Sequence, residues 1–214
     1  MTLNEICELK QQIIHYGKKL GEKNMSPATS GNISVRKDGQ ILITGSGTCL
    51  ADLCEDEIVI IDSNANLIDG KIKPSSEKNL HTAIYAIRPD INAIIHCHSP
   101  YASAFAVCRI PLSKPIISEN VFYFGEIPVA PYALPGSEKL VENSAKFFAK
   151  HNAVLLANHG IILGAKDIKN AYYLMETAET YAQIYLNSML LGGAKELSKK
   201  EIEEIYSLRC ETKC

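Results

Sequence analysis

The chain has 214 residues, of which 46% are hydrophobic and 21% charged, and a formal net charge of −2. Those proportions fit a folded soluble domain with a sizeable core, and the near-neutral balance argues against a general nucleic-acid or acidic-membrane binder. No apolar stretch reaches bilayer length, and the start from Met1 to Glu5 lacks the charge and apolar core of a signal peptide, so the expectation is a cytoplasmic protein. The seven cysteines (7, 49, 54, 97, 108, 210 and 214) are an odd set without C-x-x-C spacing and read as free thiols in a reducing compartment.

Leu3, Ile6, Leu9, Ile13, Tyr16 and Leu20 recur at helical spacing and predict an amphipathic helix over 3–22. The period then changes. Ile33–Arg36 and Ile41–Thr44 flank Lys37-Asp38-Gly39-Gln40, a hairpin signal, and Glu57–Asp62 reads as a further strand before an Asn/Asp/Gly turn region. From Ser75 the pattern is helical to about Arg88, where Pro89 ends it. The run Ile91-Asn92-Ala93-Ile94-Ile95 leads as a strand into His96-Cys97-His98, and Ser99-Pro100 opens a helix to about Cys108. Residues 110–136, rich in proline, read as loops and short strands, with Ile127–Ala130 the best strand. Ser137 caps a helix to about Lys150, and Ala153–Leu163 gives two short strands broken at His159-Gly160. A long helix over 167–191, the Gly192-Gly193 break, a short helix over 198–207 and a flexible tail over 208–214 complete the chain. The economical reading is one α/β domain over 1–214, an antiparallel-rich sheet between helices.

Strand alternation turns His96 and His98 to one face and Cys97 to the other. Two imidazoles on one face are half of a divalent-metal site, and His159, at another strand end, offers the third. Three neutral imidazoles leave an open position on a tetrahedral zinc, the arrangement of a catalytic rather than a structural site. A Lewis-acid metal wants a base beside it, and Glu77 is the best candidate. The alternative for Glu77 is plain capping, a glutamate following serine in a helix's first turn. His15 and His151 read as surface or cap residues and His81 as structural. Thr29-Ser30-Gly31-Asn32, Thr44-Gly45-Ser46-Gly47 and Ser75-Ser76 each supply hydroxyls, an amide or backbone N–H groups. Together they could hold a phosphate without a lysine cluster.

In order along the chain stand Thr29-Ser30-Gly31-Asn32-Ile33-Ser34-Val35-Arg36, Leu42-Ile43-Thr44 with Ser46-Gly47, and Lys73-Pro74-Ser75-Ser76-Glu77. Arg88-Pro89-Asp90, His96-Cys97-His98, Ala130-Pro131-Tyr132 and Asn158-His159-Gly160 follow. This ordered set resembles the class II aldolase/adducin family, most closely its L-fuculose-1-phosphate aldolase-like branch, through nearly the whole chain. The resemblance implies one Zn2+ on His96, His98 and His159, with Glu77 as catalytic acid/base and a further ligand before substrate arrives. Gly31, Asn32, Ser46, Gly47, Ser75 and Ser76 match the family's phosphate-binding positions, with Thr29 nearby. The implied reaction is reversible cleavage of a phosphorylated ketose such as L-fuculose 1-phosphate to dihydroxyacetone phosphate and an aldehyde such as lactaldehyde. The implied assembly is a homotetramer with active sites near subunit contacts.

Three positions depart from the pattern. The branch uses a neighbouring subunit's tyrosine in the segment corresponding to Pro115–Pro128, where Glu119 is the nearest polar counterpart and so a second catalytic candidate. Pro135 stands where an aromatic residue is expected, and Tyr206 does not align with the branch's tail tyrosine. The related epimerases carry aspartate where this chain has Glu77, which disfavours them. A dehydratase with an acidic residue near Glu119 and a sugar-acid phosphate decarboxylase remain alternatives. A non-catalytic adducin-like binding module is disfavoured because all three histidines and Glu77 are present.

Overall fold

Strand pairing starts locally, at Asp38-Gly39. In the computed structural model, which describes the backbone of residues 1–211 and the side chains of 1–208, both residues have positive φ. They form the two-residue turn that joins β1 (Asn32–Lys37) to β2 (Gln40–Thr44), with Lys37 opposite Gln40. β3 (Ile58–Ile61) pairs with β2, and β4 (Leu67–Asp69) with β3. On its other edge β1 takes β5 (Ala93–Cys97), which sets Asn32 opposite His96. After β6 (Val129–Ala130), the hairpin of β7 (Ala153–Leu156) and β8 (Gly160–Ala165) completes the sheet. Its order is β4-β3-β2-β1-β5-β8-β7-β6, antiparallel except for β6 against β7. The α/β architecture expected from the sequence is the one the chain adopts.

Seven α-helices are described: α1 (Leu3–Glu22), α2 (Lys78–Ile87), α3 (Pro100–Cys108), α4 (Ser118–Tyr123), α5 (Glu138–Ser144), α6 (Ile168–Leu190) and α7 (Lys199–Glu211). Alternation along the strands divides the core. Ile33, Val35, Leu42, Ile95, Leu155 and Leu163 pack with Ile13, Phe105 and Met175, so α1, α3 and α6 cover that face. Ile41, Ile43, Ile94, Val154 and Ile162 pack with Leu80, Ile84, Leu140 and Phe148, so α2 and α5 cover the other. Each fully buried Ile or Leu contributes about 1.5–3 kcal/mol, which makes a one-residue register slip in β5 prohibitive. His96 has the parity of Ile94 and therefore faces α2. Cys97 has the parity of Ile95 and lies buried in the core under α3 and α6.

Several boundaries differ from the sequence reading. α2 begins at Lys78 rather than Ser75, leaving Ser75-Ser76-Glu77 as the approach to the helix. Segment 118–123, expected among loops and short strands, is a helix; six residues are too few to express a period, and buried Val121 fixes it only through tertiary contact. Leu67–Asp69 is an exposed edge strand where a turn was expected. Helix 199–211 runs past 207, so the expected tail begins inside α7, and residues 212–214 lie outside the described residues. No described helix is long and apolar enough to cross a membrane.

Candidate metal centre and phosphate cradle

The register of β5 between β1 and β8 builds the site. His96, opposite Asn32 on one side and Ile162 on the other, is 1% exposed and directs Nδ1 to the Ile161 carbonyl at 3.0 Å. That hydrogen bond fixes the tautomer: Nδ1 donates and the Nε2 lone pair is free. His98 lies one residue beyond β5, with Nε2 3.2 Å from His96 Nε2. His159 follows β7 in a turn where Asn158 has a φ of 54°, and Gly160 then opens β8. A Cβ on Gly160 would fall 2.5 Å from the Cys97 carbonyl oxygen and 3.0 Å from the His98 ring, so only glycine lets the two strand ends approach. The three rings stand 4.6–5.0 Å apart between centroids, and their ligand atoms all lie within 4.8 Å of one another.

Glu77 completes the cluster from the approach to α2. Its Oε2 is 3.2 Å from His96 Nε2, and its Oε1 is 3.6 Å from His159 Nε2. The side chain makes no capping hydrogen bond to the helix, so the capping alternative for Glu77 fails. Instead Asn32 Nδ2 donates to Oε2 at 2.9 Å, while Oε1 is buried with no hydrogen-bond partner. Burial pushes the Glu77 carboxyl up, but His96, His159, the Asn32 amide and His81 together hold it below its ordinary value. Burial holds His96 and His98 below the usual imidazole range and lowers His159 to about 4. At neutral pH the cluster is therefore a carboxylate among neutral imidazoles whose ring nitrogens converge. An orphaned carboxylate oxygen and two Nε2 atoms 3.2 Å apart are what a divalent cation would satisfy. The donor set fits a metal ion.

All seven predicted phosphate positions border the same cavity of about 150 Å3 as Glu77 and the three histidines. Its walls are the turn at Thr29, Gly31 and Asn32, the turn at Ser46 and Gly47, and Ser75-Ser76 ahead of α2. Gly31 has a φ of 78°, and a Cβ there would sit 2.7 Å from the His96 carbonyl oxygen, so the first turn can lie directly on the end of β5. The second and third walls are tied together: Ser46 N donates to Lys73 O at 2.8 Å and Ser75 N to Thr44 O at 3.0 Å. Those two amides are engaged, so Ser46 and Ser75 offer hydroxyls rather than N–H groups. The α2 N-terminus adds a positive dipole end behind Ser75-Ser76.

Not every candidate meets here. Glu119 is exposed on α4 and borders a separate groove with Tyr173 and Glu176 of α6; within one chain it does not reach the histidines. Cys97 turns away as alternation requires, and burial pushes its thiol up. His81 is fully buried, with Nδ1 2.7 Å from Ser34 Oγ, which also bonds Tyr85 OH at 2.8 Å. Sequence reasoning missed the Asn32–Glu77 hydrogen bond, because it depends on how β1 and α2 meet. Ser30 and Gly45, which belong to the small-residue segments read from the sequence, also line the cavity, as does Pro135, which the sequence marked only as a departure from the family pattern.

A family model described as "Class II Aldolase and Adducin N-terminal domain" matches residues 11–186. The chain belongs to the class II aldolase/adducin family. Within that family it is similar to the 5-deoxy-D-ribulose 1-phosphate aldolase of Bacillus thuringiensis serovar kurstaki, 36% identical over 199 residues and 92% of each chain. It is also similar to the 3-oxo-tetronate 4-phosphate decarboxylase of Pectobacterium atrosepticum, 32% identical over 200 residues, 91% of this chain and 89% of the relative. A solved L-fuculose 1-phosphate aldolase superposes with a TM-score of 0.87 at 38% identity, covering 92% of this chain and 94% of the other. Relatives of comparable similarity in this class II aldolase/adducin family thus bear different activities. The triad of His96, His98 and His159 fits a metal site of the kind class II aldolases carry.

Proposed function

We propose that the protein is a zinc-dependent aldolase that reversibly cleaves a phosphorylated ketose of the L-fuculose 1-phosphate type to dihydroxyacetone phosphate and an aldehyde. The observation that carries this reading is the single cavity in which Glu77 and three histidines face a cradle of small residues. His96, His98 and His159 would hold the metal, which when bound supplies Lewis-acid polarisation of a substrate carbonyl and its neighbouring hydroxyl. The turns at Gly31, Ser46-Gly47 and Ser75-Ser76 would seat the phosphate and so set the distance from it to the reacting carbons. Glu77 would move a proton at the carbon that gains or loses the C–C bond. With its carboxyl held below the ordinary value, Glu77 is a weak base, and the transfer depends on a substrate acidified by the polarised carbonyl rather than on a raised carboxyl pKa. Asn32, donating to Oε2, orients that carboxylate. In a homotetramer a neighbouring copy would border the aldehyde side.

A decarboxylase is the second reading, favoured by the similarity to the 3-oxo-tetronate 4-phosphate enzyme; the same cradle and metal would stabilise the carbanion left by loss of CO2. Incubating the zinc-loaded protein with a panel of ketose 1-phosphates and 3-oxo-acid phosphates separates the two. Formation of dihydroxyacetone phosphate with an aldehyde supports the aldolase; release of CO2 from an oxo-acid phosphate, without ketose cleavage, replaces it.

A further inference from the structure

His98 is the least anchored of the three histidines. His96 is held in a strand paired on both sides and by its bond to Ile161, and His159 N donates to Leu156 O at 3.0 Å. The His98 ring has no described hydrogen bond except its contact with His96, and the residue lies between the end of β5 and the start of α3. Whatever holds the first turn of α3 therefore aims His98.

That turn lacks its ordinary cap. Ser99 occupies the N-cap position but its side chain makes no capping hydrogen bond, and Pro100 is the first helical residue. The carboxylate of Glu179, on α6, takes its place: Oε1 accepts from Tyr101 N and Oε2 from Ala102 N, both at 2.8 Å. Glu179 is 8% exposed where α6 packs on α3, a costly place for a charge unless it is fully bonded. A charge-assisted, two-pronged cap at the positive end of a helix is strong and directional. Gln183, one turn along α6, also donates to Tyr101 OH at 3.1 Å, so the two helices are clamped at this corner.

We propose that Glu179 is a positioning residue for the metal ligand His98, acting through the N-terminus of α3. The inference rests on the metal-site reading above. The test titrates metal-stripped, full-length wild type, Glu179→Gln, Glu179→Asp and Tyr181→Phe with Zn2+ by calorimetry, and with Co2+ by visible absorption. Glu179→Gln places an amide NH2 against a backbone N–H, and its metal dissociation constant should rise about tenfold, the lower end for loss of a group supporting a ligand. Its Co2+ absorption should weaken towards that of a site in which one histidine is replaced by water. Glu179→Asp, which keeps the charge but shortens the reach, should fall between. Tyr181→Phe, on the same helix as Glu179, removes the bond from Tyr181 OH to Lys114 O and is the control for general destabilisation; its metal binding should match wild type. Wild-type affinity and spectrum in both Glu179 variants, or equal losses in Tyr181→Phe and Glu179→Gln, would overturn the proposal. Wild type that binds neither ion sinks the metal reading itself, a distinct result.

Discussion

The wall of the cavity that bears the histidines and the segment that carries Glu119 are held in very different ways. Asn32 and His96 face each other across the β1–β5 ladder at the middle of an eight-stranded sheet, and His159 stands in the turn into β8, the other neighbour of β5. Displacing any of them means breaking ladder hydrogen bonds and exposing Ile94 or Ile162. The 110–126 segment instead carries one six-residue helix packed on α6 and α7, and Glu119 points out from it. The contrast separates two tasks. Groups that would hold a metal are fixed by strand register, and Glu77 by its bond from Asn32 at the approach to α2, whereas Glu119 is left to a peripheral element.

The hardest blow to the sheet-borne half is His96→Ala. It removes the best-fixed ligand, and metal analysis should find most of the ion gone, with turnover falling to background. Full occupancy in that variant would show that the strand register does not define the metal site. Glu77→Gln is the next largest. Its amide oxygen can still accept from Asn32, so phosphate-ligand binding should survive while proton exchange and cleavage drop by about 10²–10⁴-fold. Near-wild-type turnover excludes the acid/base role.

These two residues also mark how far sequence carries. The period of two displayed His96 and His98 on one face, and the small-residue turns announced the cradle, because both signals are local. Asn32 read as a phosphate group and nothing more, since its bond to Glu77 exists only once α2 is laid across β1. Glu179 carried no signal, because it caps a helix far away in the chain. The α4 helix stayed hidden for a different reason: six residues contain fewer than two turns, so no periodicity can emerge. Glu119 was singled out through resemblance, and a role that involves a neighbouring chain is not legible in one.

Acidity probes the packed half more gently. His81 is fully buried beside Glu77, and burial lowers it to about 3 from an unfolded value near 6.5. Between those values the unfolded chain binds a proton that the folded chain does not. Stability is therefore complete above about pH 6.5 and declines as pH falls, by at most about 1.4 kcal/mol per pH unit for this residue. Urea midpoints measured on metal-free protein from pH 7.5 to 5 should fall accordingly, more steeply once the similarly lowered His96, His98 and His159 add to it. His81→Phe, whatever its starting stability, should flatten that slope by about one proton. An unchanged slope would mean that His81 takes up its proton in the folded state.

Glu119→Ala carries the smallest expected effect and sharpens the comparison most. An exposed residue on a peripheral helix should change stability by no more than about 0.5 kcal/mol, and it touches no metal ligand of its own chain. Zinc content and thermal midpoint should therefore equal wild type. Turnover is the informative reading, because the two halves predict it differently. If the site is complete within one chain, turnover also stays unchanged, and Glu119 is a surface residue. A fall in turnover with zinc fully retained assigns Glu119 to the reaction of a neighbouring copy. Adding an excess of the metal-deficient His96→Ala protein, in which Glu119 is intact, then tests the assignment. If subunits exchange, mixed assemblies pair an intact zinc site with an intact Glu119 and should recover activity that neither variant has alone. Recovery makes the peripheral helix part of a composite site, and its absence in demonstrably mixed assemblies returns all the chemistry to the sheet.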